Sequence, residues 1–249
     1  MTSLGMPAAP RPVDPVWKQA WDTALYGTSG FLRTHPMECS TSAASVLAVV
    51  SSVGPARGDV ALLGCAGTLA TQLSDTGRTV RFDVPEGYDG LVVALDWLAH
   101  VPTHVVEMGA DGHPHVVHVS PLTGRESLGS RLNDTSVPQS IGLWLEEWWP
   151  LVDFGTGARA EVGTSRDAAW LGVVTRLGPG GRAIAIDRGH VRDDRPLRGS
   201  LASPSGRSIP DGSRDLTAAV ALDAVAAATG SRVVHGADLS HLEFTAPVH

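Results

Sequence analysis

Three short apolar runs constrain this chain most: residues 59–63 (DVALL), 91–95 (LVVAL) and 182–186 (RAIAI). Each is almost continuously apolar, with no polar–apolar alternation, and each gives way to glycine or aspartate. A strand needs such a composition only when both of its faces are buried, as in a parallel sheet covered by helices. Residues 79–84, 158–162 and 232–235 read as further strands, the last of them closing the series. Between them lie segments of helical character: residues 68–73, 137–149, 165–177 and 215–228. The second carries Trp144 and Trp148 at i,i+4, the third is capped by Ser165 and stopped at Gly178, and the fourth is ended by Gly230. Strands alternating with helices predict an α/β fold with a mostly parallel sheet. Residues 103–108 and 115–119 instead flank Ala110-Asp111-Gly112 and read as an antiparallel hairpin.

Two helices precede this alternation. Asp14 and Pro15 supply an N-cap and first helical residue, and Trp17, Trp21, Ala24 and Leu25 then recur on one face until Gly27. A second helix fits residues 42–53, ended by Gly54. Together, residues 14–54 are expected to form a helical cap, and residues 103–160 an insertion on the substrate side, within one domain spanning 14–249. Residues 1–13 are rich in proline and alanine and read as a disordered tail. Residues 188–213 are polar, rich in glycine and proline, and read as a loop.

Composition removes several functions. With 43% hydrophobic residues among 249, the chain can bury a core, which excludes disorder throughout. No apolar run approaches the roughly 20 residues that a bilayer demands, so no membrane span is expected. The start has no apolar signal-peptide core, so a cytoplasmic location is expected. A net charge of -7 argues against a nucleic-acid partner. Cys39 and Cys65 are too few for a disulfide framework or a structural zinc site. Lys18 is the only lysine beside 18 arginines, which reads as the codon usage of a GC-rich genome.

The strongest local signal for chemistry is the strand–turn–helix at residues 61–70, with the turn Gly64-Cys65-Ala66-Gly67. Glycine there lets a nucleotide-like ligand approach the backbone, and the following helix offers free N–H donors. A tight turn with no ligand has the same signature, and without a full G-x-G-x-x-G a nicotinamide-dependent reductase is disfavoured. Asp83 ends the next strand about 20 residues on, where an acidic side chain accepts ribose hydroxyls; a solvated aspartate before Pro85 is the alternative. Asp96 ends another strand on the same crevice and could orient a cation or take up a proton, or simply cap the next helix. His113, His115 and His118 surround the hairpin, but His115 and His118 fall on opposite faces, so no metal site is expected. Cys65 reads as a small buried residue before it reads as a nucleophile, and Trp144, Trp148 and Trp149 as core before a partner-binding face.

Several longer stretches resemble one family. ALYGTSGFLR at 24–33, ALDWLAHVP at 94–102, WLEEWWPL at 144–151, RAEVGTSRDAAW at 159–170, AIAIDRGH at 183–190 and IPDGSRDLTAAVALDAV at 209–225 are similar, in order, to the MidA-like S-adenosylmethionine (SAM)-dependent methyltransferases. The resemblance implies a class I methyltransferase fold, SAM as cofactor, and a protein arginine as acceptor. The family's mitochondrial member methylates an arginine of a respiratory complex I subunit, so a respiratory-complex subunit is the implied kind of partner. By the same resemblance Thr41 and Ser42 close over the cofactor, and Gly64, Cys65, Ala66 and Gly67 pass beside it. Asp83 would hold the ribose, and Asp96 and Asp187 would orient the nucleophile. His190 and Asp215 match motifs on the substrate side; a loop histidine and a helix N-cap are their structural alternatives.

The chain also departs from the family. Leu62 or Leu63 stands where an acid precedes the first glycine, and Ala66 replaces a glycine. Leu95-Asp96 replaces Asn-Glu, Ala99 an aspartate, Arg188 a tyrosine and Ala219 a histidine. Gly64 and Asp96 are close enough in sequence to leave room for one strand between them, where the class I pattern has two strands and a helix. Two functions therefore stay open: an active methyltransferase, and a shortened, non-catalytic relative that binds or assembles other proteins.

Overall fold

The computed structural model describes residues 14–37, 39, 41–53, 59–65, 67–75, 78–204, 206–236 and 240–248. The expected tail at 1–13, the helix stop at Gly54 and the turn residue Ala66 lie outside the described residues.

The three apolar runs stack side by side as parallel strands β1 (Val60–Gly64), β3 (Leu91–Leu95) and β8 (Arg182–Ile186). β2 (Val80–Arg81) adds a short parallel edge beside β1. On the other side, β12 (Ser240–Thr245) pairs antiparallel with β8, and β11 (Arg232–His235) pairs antiparallel with β12. The sheet order is therefore β11-β12-β8-β3-β1-β2. One face takes the larger side chains Val60, Leu62, Leu91, Val93 and Ile184 against α2 (Ala43–Ser52) and α3 (Gly67–Asp75). The other presents Ala61, Ala94, Ala183 and Ala185, whose small size makes room for Trp170 of α5 (Thr164–Val174) and Val225 of α6 (Leu222–Thr229). Large against small on facing layers is how a core reaches close packing.

A second sheet of four strands is antiparallel throughout. It comprises β4 (His104–Met108), β5 (Pro114–Val119), β6 (Glu126–Arg131) and β7 (Arg159–Val162). α4 (Gln139–Trp148) packs Ile141, Trp144 and Leu145 on one face, over Val106, Met108 and Ala160. α1 (Trp17–Tyr26) packs Trp17, Trp21 and Leu25 on the other, over Val105, Val117 and Val119. The two N-terminal helices thus do not form one cap: α1 covers the second sheet and α2 covers the first.

Other departures have local causes. α1 begins at Trp17 without a side-chain cap, because residues 15–16 run alongside β5, with Val119 N–H donating to the Pro15 carbonyl at 2.9 Å. Ser165 lies inside α5 and donates to the Pro102 carbonyl at 2.6 Å, so it is no cap. The helix expected from residue 215 starts at Leu222, after Val220–Ala221 has paired as β10 with β9 (Gly189–His190). β6 and β12 carry no clear apolar signature, the first because it is an exposed edge. Among the described residues no helix is long and apolar enough to cross a membrane.

Arg166 is the side chain that joins the two sheets. It is 1% exposed, lies 5.9 Å from the Trp21 ring, and donates to the carbonyls of Ala219 at 2.7 Å, Ala218 at 3.1 Å and Ala99 at 3.3 Å. Arg166→Met should strand the Ala218 and Ala219 carbonyls, the Ala99 carbonyl keeping the Ala218 N–H at 3.1 Å, and cost about 3 kcal/mol. Calorimetric melting should then show a Tm lower by roughly 6 to 12 °C; a shift below about 2 °C would mean the loops hold themselves.

His190 secures β9. Its Nδ1 accepts from Arg195 Nη1 at 2.7 Å, and its ring meets Trp149 edge-on at 4.9 Å. Burial, reinforced by the Arg195 charge, pushes its pKa down to about 4. The contribution of a neutral buried imidazole is present above the unfolded pKa of about 6.5 and is lost as pH falls toward 4. Asp187, held up at about 7 by burial, acts oppositely across the same window. The sign is therefore read on a difference: denaturant melts of His190→Gln should lose less stability than wild type between pH 6.5 and pH 4. Parallel curves for the two proteins would refute the assignment.

Candidate functional site

β1 ends at Gly64, whose φ of 80° is the left-handed conformation that glycine tolerates. A Cβ there would sit 2.3 Å from the Leu95 carbonyl and 2.9 Å from Trp97 Cβ. The glycine is thus required by the close approach of the end of β3, which Cys65 N–H seals by donating to the Leu95 carbonyl at 2.9 Å. Gly67, at the start of α3, faces open space. Asp83 stands two residues past β2 with its side chain 69% exposed. Both of its oxygens are taken by Arg81, at 3.0 and 2.9 Å, which holds the carboxyl below the usual range. Ser42 caps α2 by accepting from Ser45 N–H at 3.2 Å, with half-buried Thr41 just ahead. Cys65 is disulfide-bonded to Cys39, their Cα atoms 5.5 Å apart.

Asp96 follows β3 directly, 4% exposed, and is a non-glycine residue at positive φ, 49°. It lines a cavity of about 200 Å³ together with Cys39, His100, Arg188, Asp215 and Thr217. His100 sits between two acceptors: Nδ1 lies 2.6 Å from the Asp96 carbonyl and Nε2 3.0 Å from Asp215 Oδ2. A neutral imidazole has one donor and one acceptor, so two facing acceptors select the doubly protonated ring. Burial opposes that charge, but the hydrogen bond and charge of Asp215 outweigh it and raise the His100 pKa. Asp215 spends its other oxygen on the Leu216 N–H at 2.8 Å.

Asp187 stands behind this wall. Its oxygens accept from Ala99 N–H at 2.8 Å and Leu98 N–H at 3.2 Å. Burial raises its pKa to about 7, with the Asp96 charge adding to the shift. It fixes the turn that carries Asp96 and His100 instead of lining the cavity.

The fold therefore gathers Asp96 and Asp215 at one cavity, with Asp187 supporting them. It does not bring His190 to that cavity; that ring belongs to the Arg195–Trp149 network. Asp83 lies at the sheet edge. His100 is the functional candidate that sequence reasoning missed, although its spacing of four from Asp96 placed both on one turn. His115 bonds Asp111 and the Gly129 carbonyl while His118 bonds the Asp14 carbonyl, so the two have separate partners. Trp144 and Trp149 are buried in the core under α4. A larger cavity, about 820 Å³, opens between α4 and residues 131–138, lined by His113 and Arg131 among others and by none of Asp96, His100, Asp187 or Asp215.

No family model matches the sequence, and no curated protein matches it. Two solved structures from Burkholderia thailandensis match over 89% of this chain, each with a TM-score of 0.66 and 18% identity. One is an uncharacterized protein, of which 72% is covered. The other, of which 73% is covered, belongs to the same superfamily, is described as a prospective methyl transferase and was solved with S-adenosyl-homocysteine bound. By its mixed, mostly parallel sheet and this match, the chain has the α/β fold of the class I methyltransferases.

Proposed function

We propose that this chain is a MidA-like SAM-dependent methyltransferase, acting in the cytoplasm on an arginine side chain of a protein such as a respiratory-complex subunit. The observation that carries the reading is Asp96: a buried carboxylate in a left-handed conformation, one strand from Gly64, on a cavity wall. Such a conformation costs about 1–3 kcal/mol and persists where its surroundings impose it, which is common at functional sites. The Burkholderia thailandensis protein with bound S-adenosyl-homocysteine supports the same cofactor here.

The residues fit that cofactor in part. Gly67 leaves open space at the start of α3, where N–H groups favour anionic or polar atoms. Asp83 is exposed and can accept ribose hydroxyls once Arg81 releases it. When bound, SAM supplies an electrophilic methyl group. This chain's own part is to orient the acceptor: Asp96 would accept hydrogen bonds from a guanidinium and take up the proton that it loses as a nitrogen lone pair is committed to the methyl group. Asp215 is already engaged by His100 Nε2 at 3.0 Å and would shape the cavity instead.

A second reading has its own observation. The cavity of about 200 Å³ is smaller than the roughly 300–1,000 Å³ of ordinary ligand sites, and Asp83 is occupied. Both suit a protein that kept the fold and serves as a binding or assembly factor.

Calorimetric titration with SAM and S-adenosyl-homocysteine, in the presence of a thiol reductant, separates the two. The enzyme reading expects dissociation constants of about micromolar. Asp83→Ala should weaken binding by about 1–3 kcal/mol, and Asp96→Asn should keep binding while losing methyl transfer. No heat at millimolar ligand would leave the assembly reading standing.

A further inference from the structure

The only two cysteines of the chain are separated by 26 positions, yet the fold joins them at the edge of the candidate site. Cys39 lines the cavity beside Asp96 and His100. Cys65 is the residue after Gly64 and is 4% exposed, and its N–H clasps the end of β3 one residue before Asp96. We propose that Cys39–Cys65 is a reversible thiol–disulfide modification site that closes the cavity when oxidised and opens it when reduced, with low-molecular-weight thiols and disulfides as its exchange partners.

Three observations converge on this. The Cα separation of 5.5 Å is ordinary for a disulfide, so the bond forms without moving the backbone. Cys39 is exposed and Cys65 buried, so an incoming thiolate reaches the Cys39 sulfur and displaces Cys65. α3 begins two residues beyond Cys65, and the positive end of its dipole stabilises the departing thiolate. The exchange balances. The attacking thiolate bonds Cys39 Sγ, the Cys39–Cys65 bond breaks, and Cys65 leaves with the electron pair and takes a proton. A second thiol then attacks the mixed disulfide, freeing Cys39 as a thiol. The chain gains two electrons and two protons, and the two small thiols become one small disulfide. Oxidation by that small disulfide is the reverse.

The effect on the site follows from where Cys39 sits. Bonded to Cys65, it is fixed as one wall of a cavity of about 200 Å³, below the range of nucleoside-sized ligand sites. Released, that wall is held by noncovalent contacts alone, Met37 against the core of the first sheet among them, and can withdraw. An affinity measured on a protein that is mostly closed is reduced by the fraction that is open. The ligand half of this inference rests on the proposed SAM reading; the closure half does not.

The test uses the full chain in two states, oxidised with glutathione disulfide and reduced with excess glutathione. Non-reducing peptide mapping after alkylation should show a Cys39–Cys65 cross-link in the first and two alkylated cysteines in the second; no cross-link overturns the proposal. Hydrogen exchange at residues 39–46 and 95–100 should rise on reduction, and Cys39→Ser should match the reduced protein under oxidising conditions. Equal exchange in both states overturns the switch whatever SAM does. Calorimetry should find SAM bound at least about tenfold tighter by the reduced protein and by Cys39→Ser. Equal SAM affinity in both states overturns gating of the ligand. Redox-dependent exchange without SAM binding in either state supports the closure and removes the cofactor reading instead.

Discussion

A single buried guanidinium holds the functional end of this molecule together. Arg166 rises from α5 and meets the turn after β3 at Ala99 and the extended chain at Ala218 and Ala219. Burying a charge is costly, and here the two terminal nitrogens are hydrogen-bonded while Nε finds no partner; burial lowers the pKa to about 10, which leaves the group ionised. Its three carbonyl acceptors come from the segments that carry His100 and Asp215. The same side chain stacks near Trp21 of α1, so the packing of the second sheet is felt at the cavity of the first. The insertion between β3 and β8 is therefore part of the site's scaffold, not a separate module.

Around that anchor the acidic groups are arranged in unlike states. Asp187 is buried, accepts two backbone N–H groups and has its pKa raised to about 7, so it is partly protonated near neutrality. Asp215 is engaged by His100 Nε2 at 3.0 Å, a contact that raises the His100 pKa. Carboxylates packed this closely repel one another, and separating their protonation states is how a fold tolerates them. The consequence for any reaction is a division of labour. Asp187 stiffens the turn, Asp215 and His100 satisfy each other, and Asp96 meets the cavity.

The sequence made the first sheet legible because β1, β3 and β8 are buried on both faces, and burial writes itself as continuous apolar residues. It hid β12, whose polar Ser240 and Thr245 are its two ends and whose Glu243 faces Arg232 across the outer pair with β11. It also misled at residues 215–221, where alanines favour helix but Arg166 captures the carbonyls that a helix would need. At the site, the spacing of glycine and aspartates located Gly64, Asp83 and Asp96 at strand ends. It could not reveal that His100 turns inward, that His190 packs on Trp149, or that Cys39 meets Cys65. Those are tertiary facts, set by which loops the buried arginine draws together.

The shortened stretch between β1 and β3 accounts for the weakest part of the site. Among the described residues only β2 lies outside β1, and it is two residues long, so Asp83 sits on a sheet edge facing solvent. A longer sheet would continue past that edge and shelter the carboxylate from competing partners. Without it, Arg81 on the same short strand is the nearest cation and takes both oxygens. An exposed ion pair of this kind is worth about 0–1 kcal/mol, so a ligand bringing well-placed hydroxyls can displace it. What limits binding is then less the engagement of Asp83 than the cavity wall to which Cys39 and Asp96 both contribute. The edge that lost its neighbour and the wall held by a covalent bond together make ligand access depend on the state of that bond.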